Sequence, residues 1–179
     1  MITPQTLKEF RDFLPGWLLP VNRIAVFIDA ANAEKSVQKL GWKIHYKKLR
    51  RMLSSGETLI YLGYYTVSFR DPNHVALRNS LIRQGYTVKT KPLKILKNNK
   101  RKANFDVEIA TDIAIALSTY DTVVLFSGDS DFAYTLELLR KHKKKVIVVS
   151  TKYRVSRELV ERAHYYLDLK KIKEAIARH

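Results

Sequence analysis

The sequence predicts an α/β fold: a mainly parallel sheet with helices on both faces. Three observations point there. Short continuous apolar runs such as Arg23–Ile28 and Thr122–Phe126 are how strands buried on both faces read. Helical stretches separate these runs one by one, the alternation of repeated βα units. Aspartates stand directly after the first and fourth runs, where ligands meet the carboxyl ends of strands in open α/β sheets.

The elements follow in order. Residues 1–20 form an N-terminal helical extension, with Thr3 as cap, Pro4 at the first helical position and an end near Phe13. Pro15-Gly16 stops it, and Trp17, Leu18 and Leu19 are expected to pin it to the core. The domain proper spans 21–179 and opens with the strand Arg23–Ile28, closed by Asp29. Helices are expected over Ala33–Leu40 and Tyr46–Leu53. Thr58–Thr66, rich in β-branched and aromatic residues, reads as the second strand. Asp71-Pro72 opens a helix that Gly85 ends, and Tyr86–Lys91 is the third strand. A helix over Phe105–Ser118, the strand Thr122–Phe126, a helix over Ser130–Lys141 and the strand Lys145–Val149 follow. A helix over Val155–Ala163, a short sixth strand Tyr165–Leu169 and a last helix Lys170–Arg178 complete the chain.

Composition removes whole classes of function. The 179 residues contain no cysteine, which excludes disulfides, zinc fingers, Fe–S clusters and cysteine nucleophiles. No apolar run approaches the roughly 20 residues of a membrane span. The first residues lack a basic region followed by an apolar one, so a cytoplasmic protein without a membrane partner is expected. A P-loop is absent, and the five histidines form no i,i+4 pair. Net charge is +16, from 33 Lys+Arg against 17 Asp+Glu, which points to a polyanionic partner, most often nucleic acid.

Against that basic background, the acids are placed with economy. Asp29 ends the first strand in FIDAAN, and Asp129 and Asp131 follow the fourth in LFSGDSDF. In a doubly wound sheet those two strands adjoin at the switch point, so the three carboxylates should face one crevice. Asn32 lies one turn beyond Asp29, positioned to orient a carboxylate or a water. Asp106 begins a helix, and Asp112 stands six residues later, about 120° round it. A single aspartate after a strand commonly caps a helix. Several converging do not stabilise a fold, since two carboxylates about 4 Å apart repel by roughly 1–4 kcal/mol. A cation removes that cost, and an all-oxygen donor set favours Mg²⁺ or Mn²⁺.

The strings FIDAAN, FDVEIATD and LFSGDSDF, in that order and followed by an apolar helix, resemble the NYN domain of the PIN-like nucleases. The likeness covers about residues 22–169. It implies a Rossmann-like, PIN-like three-layer α/β/α sandwich with a mainly parallel five- to six-stranded sheet. It also implies metal-dependent RNA cleavage, with Asp29, Asp106, Asp129 and Asp131 as the acidic, metal-holding centre and Asn32 and Asp112 close by.

Between Pro72 and Phe105 there is no acidic residue and there are nine basic ones. The stretch Lys89–Lys102 reads as a strand leading into a basic loop or hairpin that borders the crevice. Lys94, Lys97, Lys100, Arg101 and Lys102, with Lys152 and Arg154 after the fifth strand, are the expected RNA contacts. The run Arg140–Lys145 is expected to be a solvated helix end. Tyr64, Tyr65 and Phe69 are either core residues or stacking platforms for bases. The whole reads as a Mg²⁺- or Mn²⁺-dependent ribonuclease, the alternative being a non-catalytic RNA-binding module. The oligomeric state, and with it any homo-oligomer, stays open.

Overall fold

A computed structural model of the chain describes residues 9–56, 58–68, 71–92, 94–95, 101–102 and 104–178, with 94–95 and 101–102 described in their backbone. Strands β1 (Arg23–Asp29), β2 (Lys43–Ile44), β3 (Thr58–Ser68), β4 (Thr87–Pro92), β5 (Lys94–Ile95), β6 (Arg101–Lys102), β7 (Thr122–Phe126), β8 (Lys145–Ser150), β9 (Tyr165–Asp168) and β10 (Ala177–Arg178) alternate with helices. These are α1 (Ala30–Gln38), α2 (Tyr46–Leu53), α3 (Pro72–Arg83), α4 (Asp106–Ile115), α5 (Ala133–Lys141), α6 (Arg157–Arg162) and α7 (Lys173–Ile176). The main sheet has six strands in the order β4-β3-β1-β7-β8-β9, every neighbouring pair parallel. The chain winds outward from β1 to β4, returns to β7 and winds the other way. The switch point therefore lies between β1 and β7, as the sequence predicts.

Strand burial shows why the apolar runs were continuous. Ile24 to Ile28 and Val123 to Phe126 are fully buried, alternate side chains feeding two separate cores. Ile24, Val26 and Ile28 pack with α1, α2 and α7 on one face. Ala25 and Phe27 pack with Ile109 and Ile113 of α4 and Leu136 and Leu139 of α5 on the other. The result is three layers, helices over a parallel sheet over helices.

Several boundaries differ from expectation for identifiable reasons. The segment before β1 holds two 3-10 turns, Phe10–Phe13 and Gly16–Leu18, and residues 1–8 of the expected helix lie outside the described residues. Of the three residues expected to pin it, only Leu18 is buried; Trp17 is 68% exposed and Leu19 sits at the surface. Phe10, Leu14 and Val21 are the other anchors. The chain's end is not one helix: α7 stops at Ile176 and β10 pairs antiparallel with β2. The expected basic hairpin is present as the antiparallel pair β5–β6, with its tip, residues 96–100, outside the described residues. Among the described residues, no helix is long and apolar enough to cross a membrane.

Candidate functional site

At the switch point the loops after β1, β7 and β8 lock onto one another. Asp29 ends β1 and caps α1, its Oδ1 accepting from the Asn32 backbone N–H at 3.2 Å. That cap starts α1 at Ala30, three residues earlier than the sequence pattern predicts. The Asn32 side chain turns back across the sheet, and its Oδ1 accepts from the Gly128 N–H at 3.1 Å. Gly128 has no room for a side chain, since a Cβ there would stand 2.2 Å from the Arg154 carbonyl oxygen. Its own carbonyl accepts from the Ser156 N–H at 2.9 Å. The glycine of SGDSDF is thus the contact that draws the loop after β8, with Arg154, against the acids.

Three carboxylates meet beside this lock. Asp106, Asp129 and Asp131 each present an oxygen, and these oxygens lie within 4.8 Å of one another. Asp129 also caps a 3-10 turn over Ser130–Phe132, accepting from the Asp131 N–H at 3.2 Å, so its position is fixed by the backbone. Asp106 occupies the first turn of α4, where the helix dipole favours an anion, and Asn104 Nδ2 donates to its Oδ2 at 2.6 Å. Even so, burial first, and then the charges of Asp129, Asp29 and Asp131, push its carboxyl up to about 6. Asp29 is pushed up as well, by burial and by Asp129, against the lowering effect of the Asn32 N–H. The four acids form one electrostatic unit, with the three-oxygen group and Asp29 alongside it.

The unit opens into a cavity of about 580 Å³. Asp29, Asp106 and Asp129 line its acidic end, together with Arg154. The cavity extends over the C-terminal ends of β3 and β4 to α3, and Glu34, Lys35 and Arg78 also line it. Arg154 Nε is shielded from solvent and has no hydrogen-bond partner among the described residues.

The residues singled out by sequence fall into distinct places. Asp29, Asn32, Asp106, Asp129, Asp131 and Arg154 come together at the switch point. Asp112 does not join them: its Oδ2 accepts from Tyr65 Oη at 2.5 Å, and its carboxylate pairs with Lys89 Nζ at 2.6 Å. Lys152 is exposed and outside the cavity lining; its N–H donates to Asp168 Oδ2 at 3.3 Å. Lys94, Arg101 and Lys102 are placed only by the backbone of the β5–β6 pair, and Lys97 and Lys100 lie outside the described residues. Tyr64 and Tyr65 are 2% and 1% exposed, which makes them core residues rather than stacking platforms, and Phe69 is outside the described residues. Sequence reasoning missed Glu34, Lys35, Arg78 and Asn104. The spacing of Glu34 and Lys35 behind Asn32 on one short helix was the available signal, too weak to distinguish them from solvated positions.

Comparison with known proteins agrees with this fold. The NYN domain model matches residues 23–170. A curated relative, the low amplitude and bright protein LabA of Synechococcus elongatus, is 34% identical over 165 residues, covering 88% of this chain and 89% of that protein. The crystal structure of a protein of unknown function from Vibrio parahaemolyticus superposes with a TM-score of 0.79, covering 88% of this chain and 97% of that one. At 21% identity, that likeness speaks for the fold. With most of the chain matched, and with acids at the switch point of a parallel sheet, the chain belongs to the NYN domain family of PIN-like nucleases.

Proposed function

We propose that the chain is a divalent-metal-dependent ribonuclease. The observation that carries this reading is the group of Asp106, Asp129 and Asp131, whose oxygens gather within 4.8 Å beside a cavity that Asp106 and Asp129 line. Oxygens ligating one Mg²⁺ at about 2.1 Å stand at most about 4.2 Å apart, so small carboxylate rotations close this group round an ion. The donor set is hard and all-oxygen, which fits Mg²⁺ or Mn²⁺. Asp29, coupled to Asp106 and Asp129 by charge, would be a further ligand. Such an ion supplies charge neutralisation and Lewis acidity at a phosphodiester.

The chain's own residues do the rest. Asp129 and Asp29 are held by the caps they form, so their carboxylates are positioned before a substrate arrives. Asn32, fixed by Gly128, keeps the loops after β1 and β7 in register. Arg154 brings a guanidinium to the acidic end of the cavity, and its fork of N–H donors suits a phosphate oxygen. Lys35 and Arg78 line the same cavity and offset the repulsion between the acids and a polyanion.

Three of the five histidines serve the fold, and none of the five stands four residues from another, which argues against cleavage driven by the RNA's own 2′-hydroxyl. His45 Nδ1 caps α2, His164 Nδ1 accepts from the Val146 N–H at 3.1 Å, and His74 pairs with Asp71. Hydrolysis by water leaves 5′-phosphate and 3′-hydroxyl ends. Labelled RNA incubated with Mn²⁺, Mg²⁺ or EDTA tests this: cleavage should be EDTA-sensitive, give 5′-phosphate ends and vanish in Asp129→Asn. A 2′-deoxy residue at the cut site should not prevent it. EDTA-resistant products with cyclic phosphate ends, persisting in the mutant, would refute the reading and leave a non-catalytic RNA-binding module.

A further inference from the structure

Glu34 has an arrangement that the hydrolytic site does not use. It lies on α1, two residues past Asn32, and lines the cavity that the acids open into. Its Oε1 accepts from two tyrosine hydroxyls, Tyr64 at 2.6 Å and Tyr46 at 2.9 Å. Both rings are buried and pack edge to face with centroids 5.1 Å apart. Tyr86 packs edge to face on both and donates to the Tyr46 carbonyl at 2.8 Å. Burial raises both hydroxyls well above the usual tyrosine range, so they remain neutral donors.

A carboxylate held this way cannot swing aside. One oxygen is saturated from below, while Oε2 has no hydrogen-bond partner among the described residues. Glutamate at a helix surface normally keeps its rotamer freedom; here two donors anchored in the core remove it. The fixed negative group repels phosphate, so in a nucleic acid it can be matched only by N–H or O–H donors. The cavity also carries apolar walls from α3, Val75, Leu77 and Leu81, which suit the faces of a base better than a ribose. Guanine can aim two adjacent donors, N1–H and the N2 amino group, at the one free oxygen, Oε2, which has two lone pairs. Uracil flanks its single N3–H with two carbonyl oxygens that the carboxylate repels.

We propose that Glu34 reads the base of a nucleotide next to the scissile phosphodiester and selects guanine through its Watson–Crick edge. This rests on the RNA-cleaving reading for the class of ligand. It adds a specificity-determining residue to it, one whose position is set by the Tyr46–Tyr64 pair.

The test is binding of fluorescent oligouridylates carrying one central guanosine, inosine, adenosine, cytidine or uridine, measured by anisotropy in EDTA so that nothing is cut. Wild type should favour the guanosine oligomer over all-uridine by roughly tenfold, the scale of one well-made base contact. Inosine, which lacks the N2 amino group, should lose most of that preference without any change to the protein. Glu34→Gln keeps an oxygen for the two tyrosines but offers an amide N–H₂ outward, so its preference should pass from guanosine to uridine. A 2′-deoxyguanosine in the same place should bind as guanosine does; loss of the preference there would mean a ribose contact and overturn the assignment. Equal binding of all oligomers, or a guanosine preference unchanged in Glu34→Gln, would also overturn it. Protein that prefers guanosine yet never cleaves with Mn²⁺ would refute hydrolysis and leave Glu34 as assigned. Protein that cleaves without base preference would do the reverse.

Discussion

Replacing Asp106 by Asn should make the metal-free protein more stable and the site useless. Ionised Asp106 is held among Asp129, Asp29 and Asp131 and is partly buried, which moves its carboxyl from 3.8 to about 6. Each tenfold change in proton affinity is worth about 1.4 kcal/mol, so the cost of ionising it in the fold is at most ~3 kcal/mol. The group is partly exposed, and solvent screening brings the expected gain in Asp106→Asn down to ~1 kcal/mol at neutral pH. For a domain of this size that is a rise of about 2–4 °C in Tm. The sign follows from linkage. The folded pKa lies above the unfolded one, so the folded state holds the proton more tightly and loses stability as pH rises from about 4 to 6. The variant's advantage should therefore be full at pH 7.5 and absent near pH 4. Millimolar Mn²⁺ should raise the wild-type Tm above pH 6 by mass action and lose this effect as protons displace it. Asp106→Asn should forfeit most of the gain. Differential scanning fluorimetry across pH, with and without Mn²⁺, reads all of this. A variant that melts lower than wild type without metal, or that keeps the full Mn²⁺ shift, would refute the argument from shared charge.

Three other predictions concern neighbouring features. Gly128→Ala should cost about 1–3 kcal/mol in urea unfolding, because the new methyl meets the Arg154 carbonyl and the loop after β8 must move; unchanged stability would show that the contact is soft. Asp112→Asn should keep RNA cleavage within a few fold while Asp129→Asn abolishes it, since Asp112 is bound to Tyr65 and Lys89; equal loss in both would place Asp112 in the site. Changing Lys35, Arg78 and Arg154 together to Ala should flatten the salt dependence of single-strand RNA binding by about 2 in log–log slope, roughly 0.7 per phosphate contact. The same triple change at Lys143, Lys144 and Lys145 should leave the slope and lower Tm, and a reversed result would place the RNA on the other face.

The sheet and the acids were legible because both depend on short-range signals. A strand buried on two faces must be apolar throughout, so Arg23–Asp29 and Thr122–Phe126 announced themselves, and with them the aspartates at their ends. The start of α1 was misplaced because Ala30-Ala31 carries no capping signal of its own; the cap is Asp29, whose capping role and place in the acidic site fall on one residue. The β2–β10 ladder has two residues on each strand and joins positions over 130 apart in sequence, too short for any periodicity to show. Glu34 was illegible for the same reason: its meaning depends on Tyr46 and Tyr64, brought to it from α2 and β3. Asp112 was legible as an acid near the site, but its partners Tyr65 and Lys89 arrive from two other strands and turn it to structural use.

The charge of +16 needs the same separation of fold from function. Many of the cations that produce it are committed to holding the chain together. Lys145 donates to the carbonyls of Leu18 and Pro20, tying down the segment before β1, and Lys144 donates to the Tyr120 carbonyl at 2.7 Å. Lys48 reaches the Ala177 carbonyl at 3.2 Å, and Arg140 that of Arg162 at 3.1 Å. Lys89 and Lys91 tie β4 to α4 through Asp112 and Glu108. Carbonyls at loop ends lack partners in any regular ladder, and a lysine ammonium with three donors satisfies them while its stem covers apolar surface. The expected solvated run Arg140–Lys145 is therefore partly a set of braces. Net charge still draws a polyanion toward the molecule from a distance. On the ribonuclease reading proposed above, the few cations that line the cavity decide where the strand then sits. On that reading the acids at the switch point would otherwise repel the phosphate, so Arg154, which lines the cavity with them, is the cation whose placement matters most.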